Sequence, residues 1–297
     1  MRQKVVLMVG TAAIFVSVAS AWVLAAPGEL GISQGPPTAS TQGQGVAPTS
    51  PAAPLYTDPP AAAIAAAPEA RYDAVIPGLI PYLSDAPPSA SSTAFELIAD
   101  TAVYGADRST LVARLNAKNF LDQPTIVVPV QIDPEWALIM TPARNALPSA
   151  NNNLAAAQTV GWVRSAALTH PTVLLNRVVI SATERTLTIL NERGAAISSF
   201  PVGVGTPETP SPTGVTGYLQ ARYLDPAQGQ STYPIQLTSM HSAVADNPYG
   251  GTDGGLIGIH FEKVNSGAVS HGCIRVPIPA IEAVNQLPLG TTVTILK

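Results

Sequence analysis

Hydrophobic and polar positions divide the chain into stretches of different pattern. An apolar run extends over residues 5–26, directly after Arg2 and Lys4. Residues 27–92 are rich in Pro, Ala, Gly and Ser and show no apolar period of 2 or 3.6. From Thr93 to the carboxy terminus, short apolar runs typical of strands alternate with turn residues. The pattern therefore predicts a mainly β protein behind a long leader.

The first 26 residues predict export. Positive residues ahead of an apolar run hold the amino terminus in the cytoplasm, so that the rest of the chain crosses the membrane. Ala19-Ser20-Ala21 offers a small-residue cleavage site, whereas a run of this length can also span a bilayer as a helix. A cleaved signal peptide and a retained membrane anchor over residues 1–26 are both open. Residues 27–92 cannot bury enough apolar surface to offset their ordering entropy, so we predict a disordered spacer.

Residues 93–169 are predicted to form a small β-rich module, for which an SH3-like barrel is one candidate. Strand-like runs lie at residues 125–130, 136–140 and 159–164. One or two short helices are expected around Phe95–Ile98 and Leu111–Leu115. Trp136 and Trp162 are candidates for a ligand platform or, more commonly, for core packing.

Residues 170–297 predict a β-sandwich or barrel with one short helix. A hairpin is expected where Asn191–Gly194 joins two apolar runs. Further strands are predicted near residues 218–222, 235–237, 256–260 and 291–296. The helix is expected over Pro279–Gln286. Many short strands with turn signals and almost no helix favour this architecture.

Composition excludes several classes of protein. A net charge of −4 and a pI near 5.5 argue against a general nucleic-acid binder, which needs a basic face. A single cysteine, Cys273, excludes an intrachain disulfide framework and a multi-cysteine metal site. No phosphate-binding glycine loop or dinucleotide fingerprint occurs in the sequence. We therefore expect no cofactor and no metal.

The candidate chemistry lies around Cys273. His260 and His271 stand within 13 residues of it, and Gly272 precedes it. A neighbouring imidazole takes the proton of a thiol and yields the thiolate that attacks carbonyl groups. A glycine beside a nucleophile leaves room for substrate and frees backbone N–H groups to stabilise an oxyanion. These residues indicate a cysteine nucleophile with a histidine base; a buried structural cysteine is the alternative.

The segment Ser270-His271-Gly272-Cys273-Ile274-Arg275 resembles the signature of the L,D-transpeptidase (YkuD-type) catalytic domain. Further similar segments are residues 200–205, 209–214, 257–260 and 288–293. Residues 161–164 end a module that resembles the small β segment preceding this domain in many actinobacterial members. The resemblance implies an L,D-transpeptidase-like β-sandwich or barrel and an enzyme that acts on peptidoglycan outside the membrane. Its cysteine attacks residue 3 of a tetrapeptide stem, expels D-Ala and passes the acyl group to a second stem as a 3→3 cross-link.

The resemblance also implies roles for individual residues. The positions expected to be catalytic are Cys273 as nucleophile, His260 as general base oriented by the backbone carbonyl just after it, His271 lining the site and Gly272 as an oxyanion donor. The positions expected on the substrate side are Ser270, Arg275, His241 and Phe261. The implied partners are peptidoglycan stem peptides, as tetrapeptide donor and as acceptor. Covalent inhibition by carbapenems is expected, with no nucleic-acid partner and membrane contact only through the amino-terminal segment.

Two departures from the family pattern leave other functions open. Phe261 stands where the family commonly has Gly after the catalytic histidine, and the segment from His260 to Cys273 is shorter than usual. Both changes fall in the lid over the donor pocket. A wall-binding or scaffolding protein with a degenerate catalytic domain is therefore one alternative. An exported L,D-carboxypeptidase or other cysteine amide hydrolase is another.

Overall fold

The computed structural model describes residues 56–248 and 254–297. The predicted leader, residues 1–26, and residues 27–55 of the predicted spacer lie outside them. Within the described residues, no helix has the length and apolar character needed to cross a membrane. The mainly β fold expected from the sequence is confirmed, because the described residues form nineteen strands in three sheets and only two short α-helices.

The secondary structure has the following bounds. Up to Val173 the strands are β1 (Ile80–Pro81), β2 (Thr93–Glu96), β3 (Thr101–Tyr104), β4 (Leu111–Leu115), β5 (Ile126–Val127), β6 (Pro129–Ile132), β7 (Trp136–Thr141), β8 (Thr159–Arg164) and β9 (Thr169–Val173). Beyond it they are β10 (Asn176–Ser181), β11 (Thr186–Asn191), β12 (Ala196–Pro201), β13 (Gly203–Gly205), β14 (Val215–Asp225), β15 (Gln230–His241), β16 (Leu256–Phe261), β17 (Gly267–Ser270), β18 (Ile274–Val276) and β19 (Thr292–Leu296). The described α-helices are α1 (Ala61–Ala66) and α2 (Ile278–Asn285).

The amino-terminal part is built from two sheets. One has the order β4-β3-β8-β7-β6 with β1 added on β8, and the other has the order β5-β2-β9. Val103, Ile139 and Val163 are fully buried in their shared core. Trp136 and Trp162 are also buried, and the guanidinium of Arg108 stacks 3.6 Å above the ring of Trp162. Both tryptophans therefore serve packing in this structure.

Residues 56–92 correct the predicted spacer boundary, because they are part of the folded unit. They contain α1 and β1, and Ile80 pairs with Val160 of β8. Ile76 and Leu79 are 4% and 2% exposed. Scattered apolar side chains such as these dock on a sheet that other residues have already formed. No period of their own is needed, so the sequence pattern does not reveal them.

The expectation of one or two short helices around Phe95–Ile98 and Leu111–Leu115 is also corrected. The first segment overlaps strand β2, which ends at Glu96, and the second forms strand β4. In these strands Phe95 pairs with Val127, and Arg114 pairs with Ala102. Lateral hydrogen bonds to distant segments override a weak local pattern.

The carboxy-terminal part forms one ten-stranded sheet in the order β12-β11-β10-β19-β14-β15-β16-β18-β13-β17. The expected hairpin is β11–β12, and the expected single helix of this part is α2. Ile281 and Val284 of α2 are fully buried in a core with Ile257 and Ile274. This packing fixes β16 and β18, which run side by side and in parallel.

One pair of strands is much longer than the others. Strands β14 and β15, of 11 and 12 residues, form a hairpin over residues 215–241 that we call the long hairpin. Its inner half is buried in the sheet, whereas much of its outer half is exposed or half-buried. Its pairing shifts register twice, the second time between Tyr223 and Asp225. The long hairpin therefore projects beside β16, which carries part of the candidate site.

A buried arginine joins the two parts of the fold. Arg144 is 1% exposed, and its guanidinium donates to the carbonyls of Ser242, Ala245 and Asp246 at 3.1, 3.2 and 3.3 Å. The amino-terminal sheets thus hold the chain just after β15. This contact matters for the site because the same segment leads into β16.

Candidate active site

Cys273 lies immediately before β18, with its side chain 7% exposed. Its sulfur accepts a hydrogen bond from the Gly258 N–H at 3.4 Å and donates one to the Leu256 carbonyl at 3.7 Å. Both partners belong to the backbone of β16. An N–H aimed at the sulfur favours the charged thiolate over the thiol.

Glycine at position 258 allows β15 of the long hairpin to pack closely on β16, beside the Cys273 sulfur. A Cβ at this position would lie 3.3 Å from the Cγ2 atom of Ile235 in β15. That distance is tighter than ordinary packing, so a larger residue would push the long hairpin away from β16. The sequence analysis did not single out Gly258, because its contact partner is 23 positions away along the chain.

The turn before Cys273 has a specific shape. Gly272 has a φ of 118°, which residues with a side chain rarely adopt. The Ser270 hydroxyl donates to the Cys273 carbonyl at 2.6 Å and accepts from the Gly272 N–H at 3.2 Å. Ser270 therefore closes the turn. The Gly272 N–H, expected to be an oxyanion donor, is directed at this hydroxyl in the structure.

The proline-rich loop around Ser211 is hydrogen-bonded to this turn. The Ser211 hydroxyl, in a residue only 5% exposed, donates to the Gly272 carbonyl at 2.7 Å and accepts from the Gly205 N–H at 3.0 Å. A Cβ on Gly205 would overlap the loop backbone around residues 209–211. The same loop lines a cavity of about 430 Å³ together with Arg185. Neither Cys273 nor His260 lines that larger cavity.

His260 and Cys273 line one small cavity of about 50 Å³. The Nδ1 atom of His260 lies 3.3 Å from the Phe261 carbonyl oxygen. Because a carbonyl only accepts hydrogen bonds, Nδ1 carries the proton in this contact and Nε2 keeps its lone pair. This is the backbone carbonyl expected from the family resemblance. The remaining lining residues of the cavity are Tyr223, Gln228, Ile235, Leu237, Leu256 and Gly258.

Burial lowers the pKa of His260 below its ordinary value. The Phe261 carbonyl and Glu262 act in the opposite direction, and the positive charge of Arg275 adds to the lowering. A lowered pKa keeps the imidazole neutral near pH 7. The neutral form can accept a proton, so His260 has the protonation state that a general base requires.

The structure separates the other predicted residues into different positions. His271 is exposed and does not line the cavity. Arg275 pairs with His260 across β18 and β16, and its buried Nε atom makes no hydrogen bond to a described residue. The ring of Phe261 packs against Tyr233 of the long hairpin at 5.3 Å between centroids. The hydrogen bond between Phe261 and His260 is made by the Phe261 carbonyl.

His241 lies outside the cavity, at the end of β15. It is 1% exposed, and its Nε2 atom donates to the Tyr72 carbonyl at 2.8 Å. Burial and the charge of Arg144 lower its pKa to about 3. His241 therefore contributes to packing between two parts of the fold, and its expected contact with substrate stays a prediction.

No group of three or more His, Cys, Asp or Glu side chains in residues 56–248 and 254–297 is arranged to hold a metal ion. The chemistry visible at the site is that of a sulfur, an imidazole and backbone amides. Tyr223 and Gln228 come from the long hairpin and were not predicted. Their position depends on how the hairpin pairs with β16, which leaves no local signal in the sequence.

Comparison with known proteins gives the following matches. The family model of the L,D-transpeptidase catalytic domain, YkuD, matches residues 175–295. No curated protein matches the chain significantly. An L,D-transpeptidase from Mycobacterium tuberculosis H37Rv is 15% identical, with 55% of this chain and 91% of that chain covered and a TM-score of 0.32. An L,D-transpeptidase from Mycobacterium smegmatis is 15% identical, with 55% and 92% covered and a TM-score of 0.31.

L,D-transpeptidase 3 from Mycobacterium tuberculosis, solved in complex with a faropenem-derived adduct, is 14% identical, with 55% and 92% covered and a TM-score of 0.32. The matched family model runs from the end of the amino-terminal sheets to β19 and includes His260 and Cys273. Residues 175–295 are thus similar to the L,D-transpeptidase (YkuD) catalytic domain.

Proposed function

We propose that this protein is an exported cysteine L,D-transpeptidase that forms 3→3 cross-links between peptidoglycan stem peptides. The observation that carries the proposal is the shared cavity of Cys273 and His260, in which a backbone N–H points at the sulfur. The match of residues 175–295 to the L,D-transpeptidase catalytic domain supports this class of reaction. The stem peptides, the thioester and the export are our inferences.

The first half of the proposed reaction forms a thioester. The Nε2 atom of His260 takes the proton of Cys273, and the thiolate attacks the carbonyl carbon of residue 3 in a tetrapeptide donor. The tetrahedral intermediate collapses when the bond to the terminal D-Ala breaks. The imidazolium of His260 returns its proton to the leaving amine, so that free D-Ala departs and the acyl group stays on Cys273.

The second half transfers the acyl group. The side-chain amine of residue 3 on a second stem attacks the thioester carbonyl, and His260 takes a proton from this amine. The new amide bond is the 3→3 cross-link, and the thiolate leaves and is reprotonated. Attack by water would give hydrolysis, which is the carboxypeptidase alternative.

The partners and the location follow from this reaction. Peptidoglycan lies outside the cytoplasmic membrane, so we propose that residues 1–26 direct export as a cleaved signal or a retained anchor. We also propose that β-lactams of the carbapenem class acylate Cys273. A faropenem-derived adduct is present in the solved L,D-transpeptidase 3 of Mycobacterium tuberculosis.

The test is mass spectrometry of the products formed from a disaccharide-tetrapeptide. The wild-type protein is expected to release D-Ala and to form a cross-linked dimer, whereas Cys273→Ser, of nearly equal size, forms neither. Loss of D-Ala without a dimer would replace the proposal with the carboxypeptidase function. No product from a folded protein that still binds isolated cell wall would replace it with a scaffolding function.

A further inference from the structure

The carbonyl that orients His260 has a second hydrogen-bond donor, from the long hairpin. The Nε2 atom of Gln230 lies 2.9 Å from the Phe261 carbonyl oxygen, and the Nδ1 atom of His260 lies 3.3 Å from it. Gln230 is 4% exposed and begins β15. Two side chains from different strands therefore converge on one backbone oxygen.

The backbone of the sheet explains why this oxygen is available. The Glu262 N–H donates to the Val276 carbonyl of β18 at 3.3 Å. The C=O of a peptide points opposite to its N–H, so the Phe261 carbonyl, in the same peptide, turns away from β18 and toward the long hairpin. A carbonyl in this position would normally accept a hydrogen bond from the neighbouring strand.

The neighbouring strand cannot supply that bond. Strand β15 pairs with β16 through Leu237 with Gly258 and Gln236 with Ile259. In the extension of this register, Pro234 stands opposite Phe261, and proline has no N–H to donate. The proline thus ends the ladder one step before the carbonyl, and the side chain of Gln230 supplies the missing donor from four residues along the strand.

The orientation of the Gln230 amide is defined by its partner. Only the NH₂ group can bond to a carbonyl, so Nε2 must face Phe261. The opposite atom, Oε1, is buried and makes no hydrogen bond to a described residue. Burying an amide oxygen in this way costs stability. The residue is therefore held where it is for the contact that its NH₂ group makes.

We propose that Gln230 is a positioning residue that fixes the Phe261 carbonyl and, through it, the ring orientation and tautomer of His260. The inference rests on the proposed role of His260 as general base. With the carbonyl fixed, Nδ1–H is held in one direction and Nε2 is aimed into the cavity with Cys273. The long hairpin, which lines one side of the cavity, would in this way also fix the orientation of the general base.

Other ionisable groups around His260 must be considered when pH dependence is used as a test. Glu262 follows it on the same segment, Arg275 and Cys273 face it from β18 and the preceding turn, and Tyr223 faces the cavity from β14. None of these is changed in the variants below. Shifts between variants therefore report the change at Gln230.

The experiment compares Gln230→Met, Gln230→Glu and a matched control, Gln220→Met, in the full-length protein. Gln220 is 9% exposed on β14, and its Nε2 atom donates to the Thr238 carbonyl at 2.7 Å, away from His260. Urea unfolding establishes that each variant is folded. The readouts are the rate of Cys273 alkylation by iodoacetamide and the pH profile of kcat/KM for transpeptidation.

Gln230→Met is expected to slow alkylation at pH 7 by roughly fivefold to tenfold, the equivalent of one neutral hydrogen bond, and to lower kcat more than it raises KM. In this variant the acidic limb of the kcat/KM profile moves to lower pH, because a Phe261 carbonyl that is no longer held in place stabilises the His260 imidazolium less. Gln230→Glu moves that limb to higher pH, because a carboxylate beside His260 favours the imidazolium. The alkylation rate of Gln220→Met stays within about twofold of the wild-type rate, and the acidic limb of its pH profile does not move. This is expected for a hydrogen bond of the same kind away from the site.

A folded Gln230→Met with wild-type alkylation and an unshifted limb would overturn the proposal. Equal losses of alkylation rate in Gln230→Met and Gln220→Met, without opposite shifts of the acidic limb in Gln230→Met and Gln230→Glu, would also overturn it. Such a result would indicate a structural role alone. Alkylation needs no peptide substrate. If the wild-type protein forms no dimer, the proposed function fails, whereas the alkylation rates and their pH profiles still decide the role of Gln230.

Discussion

Acidification should destabilise this protein through one buried histidine. His241 is 1% exposed and neutral, and its Nε2–H donates to the Tyr72 carbonyl. Burial, together with the charge of Arg144, lowers its pKa from 6.5 to about 3, although the hydrogen bond to Tyr72 opposes this shift. Between these two values the unfolded chain binds a proton at His241 that the folded protein does not bind. Stability is therefore complete above pH 6.5 and falls as the pH drops.

The size of the effect follows from the two pKa values. Each pH unit between 6.5 and 3 removes about 1.4 kcal/mol of unfolding free energy. Moving from pH 7.5 to pH 5 should therefore cost about 2 kcal/mol through His241 alone. The lowered pKa of His260 acts in the same direction. The pH dependence of the wild-type protein alone is consequently not sufficient to isolate His241.

Urea unfolding at pH 7.5 and pH 5 can separate the two histidines. His241→Gln keeps an amide donor for the Tyr72 carbonyl but cannot titrate. We expect the wild-type protein to lose about 2 kcal/mol more than this variant between the two pH values. His170→Gln is the matched control, since the side chain of His170 is 68% exposed, and it should follow the wild type. Equal losses in the wild-type protein and His241→Gln would refute the assigned pKa and the neutral, buried state.

Two further substitutions test the supports of the site. Ser211→Ala should lower the unfolding free energy by about 2–4 kcal/mol, because it leaves the Gly205 N–H and the Gly272 carbonyl without their shared partner. A loss below about 1 kcal/mol in urea unfolding would contradict this. Arg144→Met should cost about 3 kcal/mol or more, since buried and partly buried carbonyls of Ser242, Ala245 and Asp246 lose a charged donor. Thermal unfolding measures the loss, and an unchanged midpoint would count against it.

The core of the candidate site could be predicted because its signal is local. Glycine, cysteine and histidine stand close together at residues 271–273, and the chemistry of a thiolate nucleophile depends on such neighbours. The hairpin β11–β12 and the helix α2 were predictable for the same reason. A turn sequence or a single apolar stripe defines each of them within a dozen residues or so.

The errors fall where a segment depends on distant partners. Residues 56–92 lack an apolar period, yet Leu79 is buried on a sheet built from later residues. Leu111–Leu115 has a pattern compatible with a helix, yet pairing with β3 makes it a strand. The environment of His241 also depends on a distant partner, the Tyr72 carbonyl, 169 positions away in the chain. Its expected contact with substrate stays a prediction.

The amino-acid sequence by itself predicted a mainly β fold and a single cysteine in a motif that indicates a thiolate nucleophile. Only the tertiary structure decided how that chemistry is arranged. In the folded protein, the Gly258 N–H contacts the Cys273 sulfur and the long hairpin lines the cavity. Gln230 and His260 both donate to the Phe261 carbonyl. The physical reason is that a sequence motif identifies the reacting groups but not their positions in space. Strand pairing between distant segments determines their distances, burial and protonation.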